Sequence, residues 1–347
     1  MKAQALAVKA HNDSKHHESI DEKVARWTQL SGSDLQFSRL RDLIRFLGDE
    51  LYSQYEPFID KPPFWERIDR WVSNVRSDSD QQTLLRLIPW LLFVGKEELN
   101  TMYQAAFCGP ITRWIIDSAE LDIADENLSP KLEEEIRHTW FGSLAGMDIG
   151  SFMRINGVEE QSLRPDFREL SRLGDPDRLR DYLLGDAQHP GHYRRIVAVE
   201  DFVGTGRQMK SATSILRSMD KFPVLLCPMI AAHEGCEAGA SLHESSPHID
   251  FQELYRIPMS ARLPQSDSEG DADPELAATS QLIRQTWDRL ARPEPYDKPF
   301  GFGDAGLLVL TYLNCPNNVP PIIHRQSESS DSQPSWIPLF PRAIRET

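Results

Sequence analysis

Residues 195–209 read RIVAVEDFVGTGRQM. Ile196 to Val199 form an apolar, β-branched run of strand type. Two adjacent acids follow, Glu200 and Asp201. Then come Phe202, Val203 and the small-residue turn Gly204-Thr205-Gly206. Beyond it Met209, Ala212, Ile215, Leu216 and Met219 recur at helical spacing on one face. The order is strand, acids, turn, helix. It sets backbone N–H groups and the positive end of a helix at the strand's carboxyl edge, where an anionic group is held well. Glycine permits close backbone approach there, and Thr205 adds a hydroxyl donor. The strand is expected to end at Val199. Neighbours in a continuing strand point to opposite faces. The chain is therefore expected to turn at the acids and bring both carboxylates to the sheet edge. An ordinary strand-to-helix turn with two solvated acids is the plain alternative. A buried parallel strand stays apolar until it leaves the sheet, which sets this pair apart.

The stretch resembles the ribose-phosphate loop of type I phosphoribosyltransferases. In that family the paired acids hydrogen-bond the two ribose hydroxyls of phosphoribosyl pyrophosphate (PRPP), and the turn wraps the 5′-phosphate. The resemblance implies Glu200 and Asp201 as the catalytic acids. It implies Val203, Gly204, Thr205, Gly206, Arg207 and Gln208 as the phosphate-binding residues. Two departures stand out. Gly204 and Thr205 replace two hydroxyl residues, and Arg207 and Gln208 replace small ones. Arg207 either crowds the phosphate or helps to neutralise it.

The chain has 347 residues, 40% of them hydrophobic, and a formal net charge of −15. The length suggests about two domains with room for a sizeable core. The charge argues against non-specific nucleic-acid or anionic-membrane binding, which needs a basic surface. The four cysteines, Cys108, Cys227, Cys236 and Cys315, are far apart, as reduced cytosolic thiols are. The first 23 residues are too polar for a signal peptide, and Leu87 to Val94 is too short to span a bilayer. A soluble cytoplasmic protein is expected.

Residues 1–20 read as a disordered tail, 21–125 as a helical N-terminal region and 126–347 as the domain that carries the loop. Ser33 to Gln36 has the capping-box pattern, followed by a stripe of Leu40, Leu43, Ile44, Leu47 and Leu51. Ile68, Trp71, Val72 and Val75 resume helical spacing. Leu84 to Ile116 reads as one kinked helix or two shorter ones. No chemistry is read in residues 21–125: their aromatics read as core, and Glu97 and Glu98 as a solvated helix face. Ser129-Pro130 starts another helix. Thr139 to Phe141 reads as a short strand running into the Gly-rich turn 142–148, a second candidate phosphate cradle. In the resemblance this is the pyrophosphate loop, with Gly142 and Ser143 as binding residues; a simple connection is the alternative. Arg154, Arg164, Arg168 and Arg172 are a local excess of arginine in an acidic chain. Arg154 and Arg164, next to the turns, are the two taken as ligand-binding.

Phe222 to Ala232 reads as the next buried strand and Asp250 to Pro258 as a further one. His233-Glu234 invites a zinc-protease reading that fails, because position 237 is Glu. His233, Cys236, His243 and His248 have only loosely metal-like spacing. Residues 265–280 read as a mobile acidic loop before a short helix at 281–290. Gly301 to Gly306 matches the dinucleotide fingerprint in form and fails in context, since a strand follows it and none precedes it. The closing stretch, with Asn314, Asn317 and Asn318 among prolines, also resembles the end of a bacterial phosphoribosyltransferase-like family. Its members are suspected to act in conflict or phage-defence systems. That resemblance spans residues 139–342 and includes Asn156-Gly157 and Arg164-Pro-Asp166.

The fold expected is α/β: a doubly wound parallel sheet of phosphoribosyltransferase type with a helical N-terminal region. The resemblance implies PRPP or a phosphoribosyl nucleotide as ligand, with ribose phosphate passed to or from a base. It implies Mg²⁺ held mainly through PRPP and water. The alternative is a non-catalytic nucleotide-binding protein of the same fold that acts on a protein partner through its helical region. A third reading is a conflict-system effector that attacks nucleotides at this site.

Overall fold

The computed structural model of the chain describes residues 18–31, 36–58, 62–144, 146–159, 176–185, 193–265, 273–290, 298–327 and 335–342. The chain forms two compact units, each gathered from separate stretches. One comprises Met1–Phe93, Pro264–Pro299 and Leu308–Thr347, the other Val94–Leu263 and Phe300–Leu307.

The first unit opens with helices α1 (Ile20–Ser31), α2 (Gln36–Glu50), α3 (Phe64–Val72) and α4 (Asp78–Leu87), then strand β1 (Leu92–Val94). Ile68, Trp71, Val72 and Val75 are all buried, as their spacing predicts. On α2 the inner face is Phe37, Ile44 and Gly48, so Leu43 of the expected stripe is exposed. The capping-box residues 33–35 lie outside the described residues.

The second unit holds the sheet. Helix α5 (Lys96–Ala106) continues through a π-helical segment, Phe107–Ile111, into α6 (Thr112–Ser118). Helix α7 (Leu128–Arg137) leads into β2 (Thr139–Ser143), followed by α8 (Ile149–Ile155) and α9 (Pro176–Leu184). Then come β3 (Arg195–Val203), α10 (Arg207–Ser218), β4 (Val224–Ala231), α11 (His233–Ser245), β5 (Ile249–Phe251) and β6 (Tyr255–Arg256). The sheet order is β2-β3-β4-β5, with β6 also on β4, and these pairings are all parallel. This is the α/β fold expected. Ile196, Ala198, Val224 and Leu226 pack with Met209, Ala212, Ile215, Leu216 and Met219 of the α10 region and Leu242 of α11. The helical face read from the sequence is thus the buried one. The opposite sheet face carries Phe141, whose ring lies 6.2 Å from Phe107 and 6.1 Å from Phe152. Helices therefore cover both faces. Arg195 enters the buried strand as a charge, and its Nη1 meets Glu135 Oε2 at 2.6 Å.

Two strand ends differ from expectation. Strand β3 does not stop at Val199. Glu200, Phe202 and Val203 stay in register with Pro228, Ile230 and Ala231 of β4. Because β4 is buried along its whole length, the pairing continues and the acids lie within the strand. Strand β2 likewise runs on through Gly142 and Ser143.

The chain then returns to the first unit as α12 (Pro274–Thr286), which packs on α4. The acidic stretch is therefore helical from Pro274. The Asp273 side chain accepts the Glu275 N–H, and Leu276, Thr279 and Ser280 are buried. After β7 (Val309–Thr311) and α13 (Pro321–His324), the closing stretch completes this core. Trp71 and Trp336 both donate indole N–H to the Ile322 carbonyl, at 2.8 and 3.1 Å. The Phe340 ring lies within 5.1–5.7 Å of Tyr52, Tyr55 and Phe64. Among the described residues no helix is long and apolar enough to cross a membrane.

Candidate functional site

The acids stand on the central strand near its carboxyl end, and each is tied to a different element. Glu200 is 9% exposed. Ser143 Oγ, at the end of β2, donates to Glu200 Oε2 at 3.4 Å and accepts the N–H groups of Gly146 and Met147 at 2.9 and 2.8 Å. One hydroxyl thus joins the turn after β2 to the first acid, using both its donor and its acceptor capacity. Asp201 is half-buried. Its Oδ1 accepts a 2.5 Å hydrogen bond from the hydroxyl of Tyr103 on α5. The expected turn at the acids is not present. They sit at consecutive strand positions, where side chains alternate, and separate hydrogen-bond donors offset the cost of burial.

The turn is built as the sequence suggests. Gly204 to Gly206 links β3 to α10, and Gly206 caps the helix in the left-handed region, at φ +69°. A Cβ on Gly206 would fall 2.6 Å from Ala238 Cβ of α11. From the same helix Gly235 backs the turn, and a Cβ there would meet the Gly204 carbonyl at 2.7 Å. The Ala232 N–H bonds the Val203 carbonyl at 2.9 Å. The turn is therefore fixed from behind, with the α10 N-terminus opening from it. Cys236, in the first turn of α11, is pushed up to about 11 by burial, which keeps its thiol protonated and unreactive.

Residues 300–307 come back to this unit and lie against the turn. The Arg207 guanidinium stands 5.4 Å from the Phe302 ring centroid. Gly303, at φ +70°, lies so near Thr205 that a Cβ would be 2.6 Å from its methyl group. Of the formal dinucleotide motif, Gly303 thus lies against this turn, and the next element after the motif is strand β7 (Val309–Thr311), not a helix.

Other residues named from the sequence take different places. Gly142 is in β2, where the Trp140 ring occupies the space of a Cβ, 2.5 Å away. Its glycine is needed for that packing, and the turn begins after Ser143. Arg154 is exposed on α8 and donates to Ser151 Oγ at 2.7 Å, within the cap that Asp148 forms. That cap, chiefly the Ser151 hydroxyl, holds the Asp148 carboxyl below its ordinary value. The Gln208 backbone lies in the first turn of α10. Arg164 lies outside the described residues. Among those residues no group of three or more His, Cys, Asp or Glu side chains is placed to hold a metal ion.

The sequence reading missed Tyr103 and Phe302. Residues 21–125 read as free of chemistry, yet Tyr103 reaches the second acid. The available signal was a phenol on the buried stripe Leu99, Tyr103, Ala106, whose hydroxyl needs a partner. No curated protein and no solved structure matches the chain. The PRTase-CE family model matches residues 68–342, most of the chain and the whole parallel sheet, so the protein belongs to this phosphoribosyltransferase-like family.

Proposed function

We propose that the 196–208 loop binds PRPP or a phosphoribosyl nucleotide, and that the protein transfers ribose phosphate to or from a base. The observation that carries this is the left-handed glycine turn opening α10 directly after a strand end that bears two carboxylates, Glu200 held by Ser143 and Asp201 by Tyr103. In the forward direction a base nitrogen forms a bond to C1′ as the C1′–O bond to pyrophosphate breaks. Positive charge develops on the ribose ring, and Glu200 and Asp201 hold the ribose and stabilise that charge. The backbone N–H groups of Val203 to Arg207 and the Thr205 hydroxyl anchor the 5′-phosphate. That is binding energy used away from the reacting carbon. The turn from Gly142 and Ser143, with one arginine, is proposed to hold the pyrophosphate, and Arg154 and Arg164 are the candidate ligand-binding arginines.

Mg²⁺, when bound, neutralises the pyrophosphate oxygens. Two carboxylates already engaged by Ser143 and Tyr103 make a small donor set, which suits an ion ligated mainly by PRPP and water. A cytoplasmic setting, a protein partner for residues 21–125 and a place in bacterial defence belong to the same proposal. The cytoplasmic setting is supported by the free thiols, and the defence role by the resemblance of the closing stretch.

Calorimetry tests this reading. Wild type should bind PRPP with Mg²⁺. Asp201→Asn and Glu200→Gln should stay folded and lose at least about tenfold in affinity, about 1.4 kcal/mol. Unchanged binding in both variants, or no binding by wild type at millimolar PRPP, would falsify it. The second reading, a non-catalytic binding protein, is favoured by Arg207 standing against Phe302 where the resemblance has small residues. Pyrophosphate release across a panel of bases separates the two.

A further inference from the structure

Tyr103 lies 98 residues before Asp201 in the chain. Its side chain is buried, and its ring packs edge-on to Phe152 with centroids 5.6 Å apart. A phenylalanine would fill that space equally well, so packing does not account for the hydroxyl. That hydroxyl donates to Asp201 Oδ1, and a charged acceptor makes the bond stronger than a neutral one. The backbone is fixed at the same point. Asn156 Nδ2 donates to the carbonyls of Tyr103 and Phe152, at 3.4 and 2.9 Å, and so ties α5 to the end of α8. An aspartate has three χ1 wells and a broad χ2. A buried, doubly supported donor on one oxygen selects one of these states. A carboxylate accepts several hydrogen bonds, so Asp201 can still receive a hydroxyl from a ligand.

We infer that Tyr103 is a positioning residue: its hydroxyl fixes the Asp201 carboxylate in the orientation that accepts a ribose hydroxyl. The inference rests on the ribose-phosphate reading above. The test separates the two by using ribose 5-phosphate and its 2,3-dideoxy analogue as probes. Binding is measured by calorimetry for wild type, Tyr103→Phe, Asp201→Ala and the double variant. Wild type should prefer the ribose compound. Tyr103→Phe should weaken ribose 5-phosphate binding about tenfold, the scale of a hydrogen bond to a charged group, and leave the dideoxy compound unchanged. In the Asp201→Ala background the same substitution should have no effect. Equal losses for both probes, or none, with wild type still preferring ribose, overturn the role of Tyr103 and leave the ribose reading standing. So does a Tyr103→Phe chain that fails to fold, because the hydroxyl is then structural. Wild type with no preference for the ribose compound overturns both.

Discussion

Arg207 stands on the first turn of the helix that opens from the glycine turn, exposed, with its guanidinium against Phe302. A cation there reinforces the positive helix end. If the guanidinium contacts the phosphate, Arg207→Ala should weaken PRPP binding by about 1.5–3 kcal/mol, the range for hydrogen bonds to charged groups. If it crowds the turn, Arg207→Gly should tighten binding, and titration calorimetry of both variants decides. Gly206 admits less choice. A left-handed backbone costs an alanine about 1–2 kcal/mol, and its Cβ would meet Ala238 at 2.6 Å. Gly206→Ala should therefore lower the urea midpoint by at least that equivalent and also weaken phosphate binding. An unchanged midpoint would show that the turn can reshape. The glycine turn was legible because Gly204-Thr205-Gly206 ends a strand pattern locally, whereas the acids, expected where the chain turns, lie within the strand. Tyr103 was not legible, because a hydrophobic period fixes which face a residue occupies and says nothing of what the chain brings to it from 98 residues away.

Whole elements were legible where one period held. Residues 196–199 and 224–231 are buried strand, and Met209 to Met219 mark the buried face between them. Their ends were less so, because pairing with an apolar neighbour carried β3 four residues beyond Val199. The start of α12 was obscured by composition. Asp273-Pro274-Glu275 is a cap, a first-turn proline and a first-turn acid, yet it sits in a run of acids and small residues that reads as loop. Asp273→Ala removes the acceptor of the Glu275 N–H and should cost about 0.5–2 kcal/mol, read from chemical denaturation. Asp273→Ser should restore most of it. Equal stability of Asp273→Ala and wild type would mean that packing of Leu276, Leu282 and Ile283 alone starts the helix.

Across the whole molecule the chain moves between its two units at 93/94, 263/264, 299/300 and 307/308. Composition does not mark these crossings, since each falls among residues that suit either core. The family match begins at residue 68, inside α3, so it takes in α4 to α6 along with the sheet, while α1 and α2 lie before it. Burial on this scale governs the four free cysteines, which lie in both units. Cys227 and Cys315 are fully buried, and desolvation pushes Cys227 up to about 12 and Cys315 higher. Cys236 is pushed up to about 11. The thiolate is the reactive form, so at pH 8 a thiol of that value is ionised in only about one molecule in a thousand, besides being covered. Cys108 is exposed on the π-helical segment. A chromogenic disulfide reagent at pH 8 should therefore label one thiol quickly in the native protein and all four in denaturant. Cys108→Ser should abolish the fast phase. A native protein that gives two or more fast thiols, or a fast phase that survives Cys108→Ser, would show that one of the buried cysteines opens to solvent on the time scale of labelling, and that its core is looser than the packing around it implies.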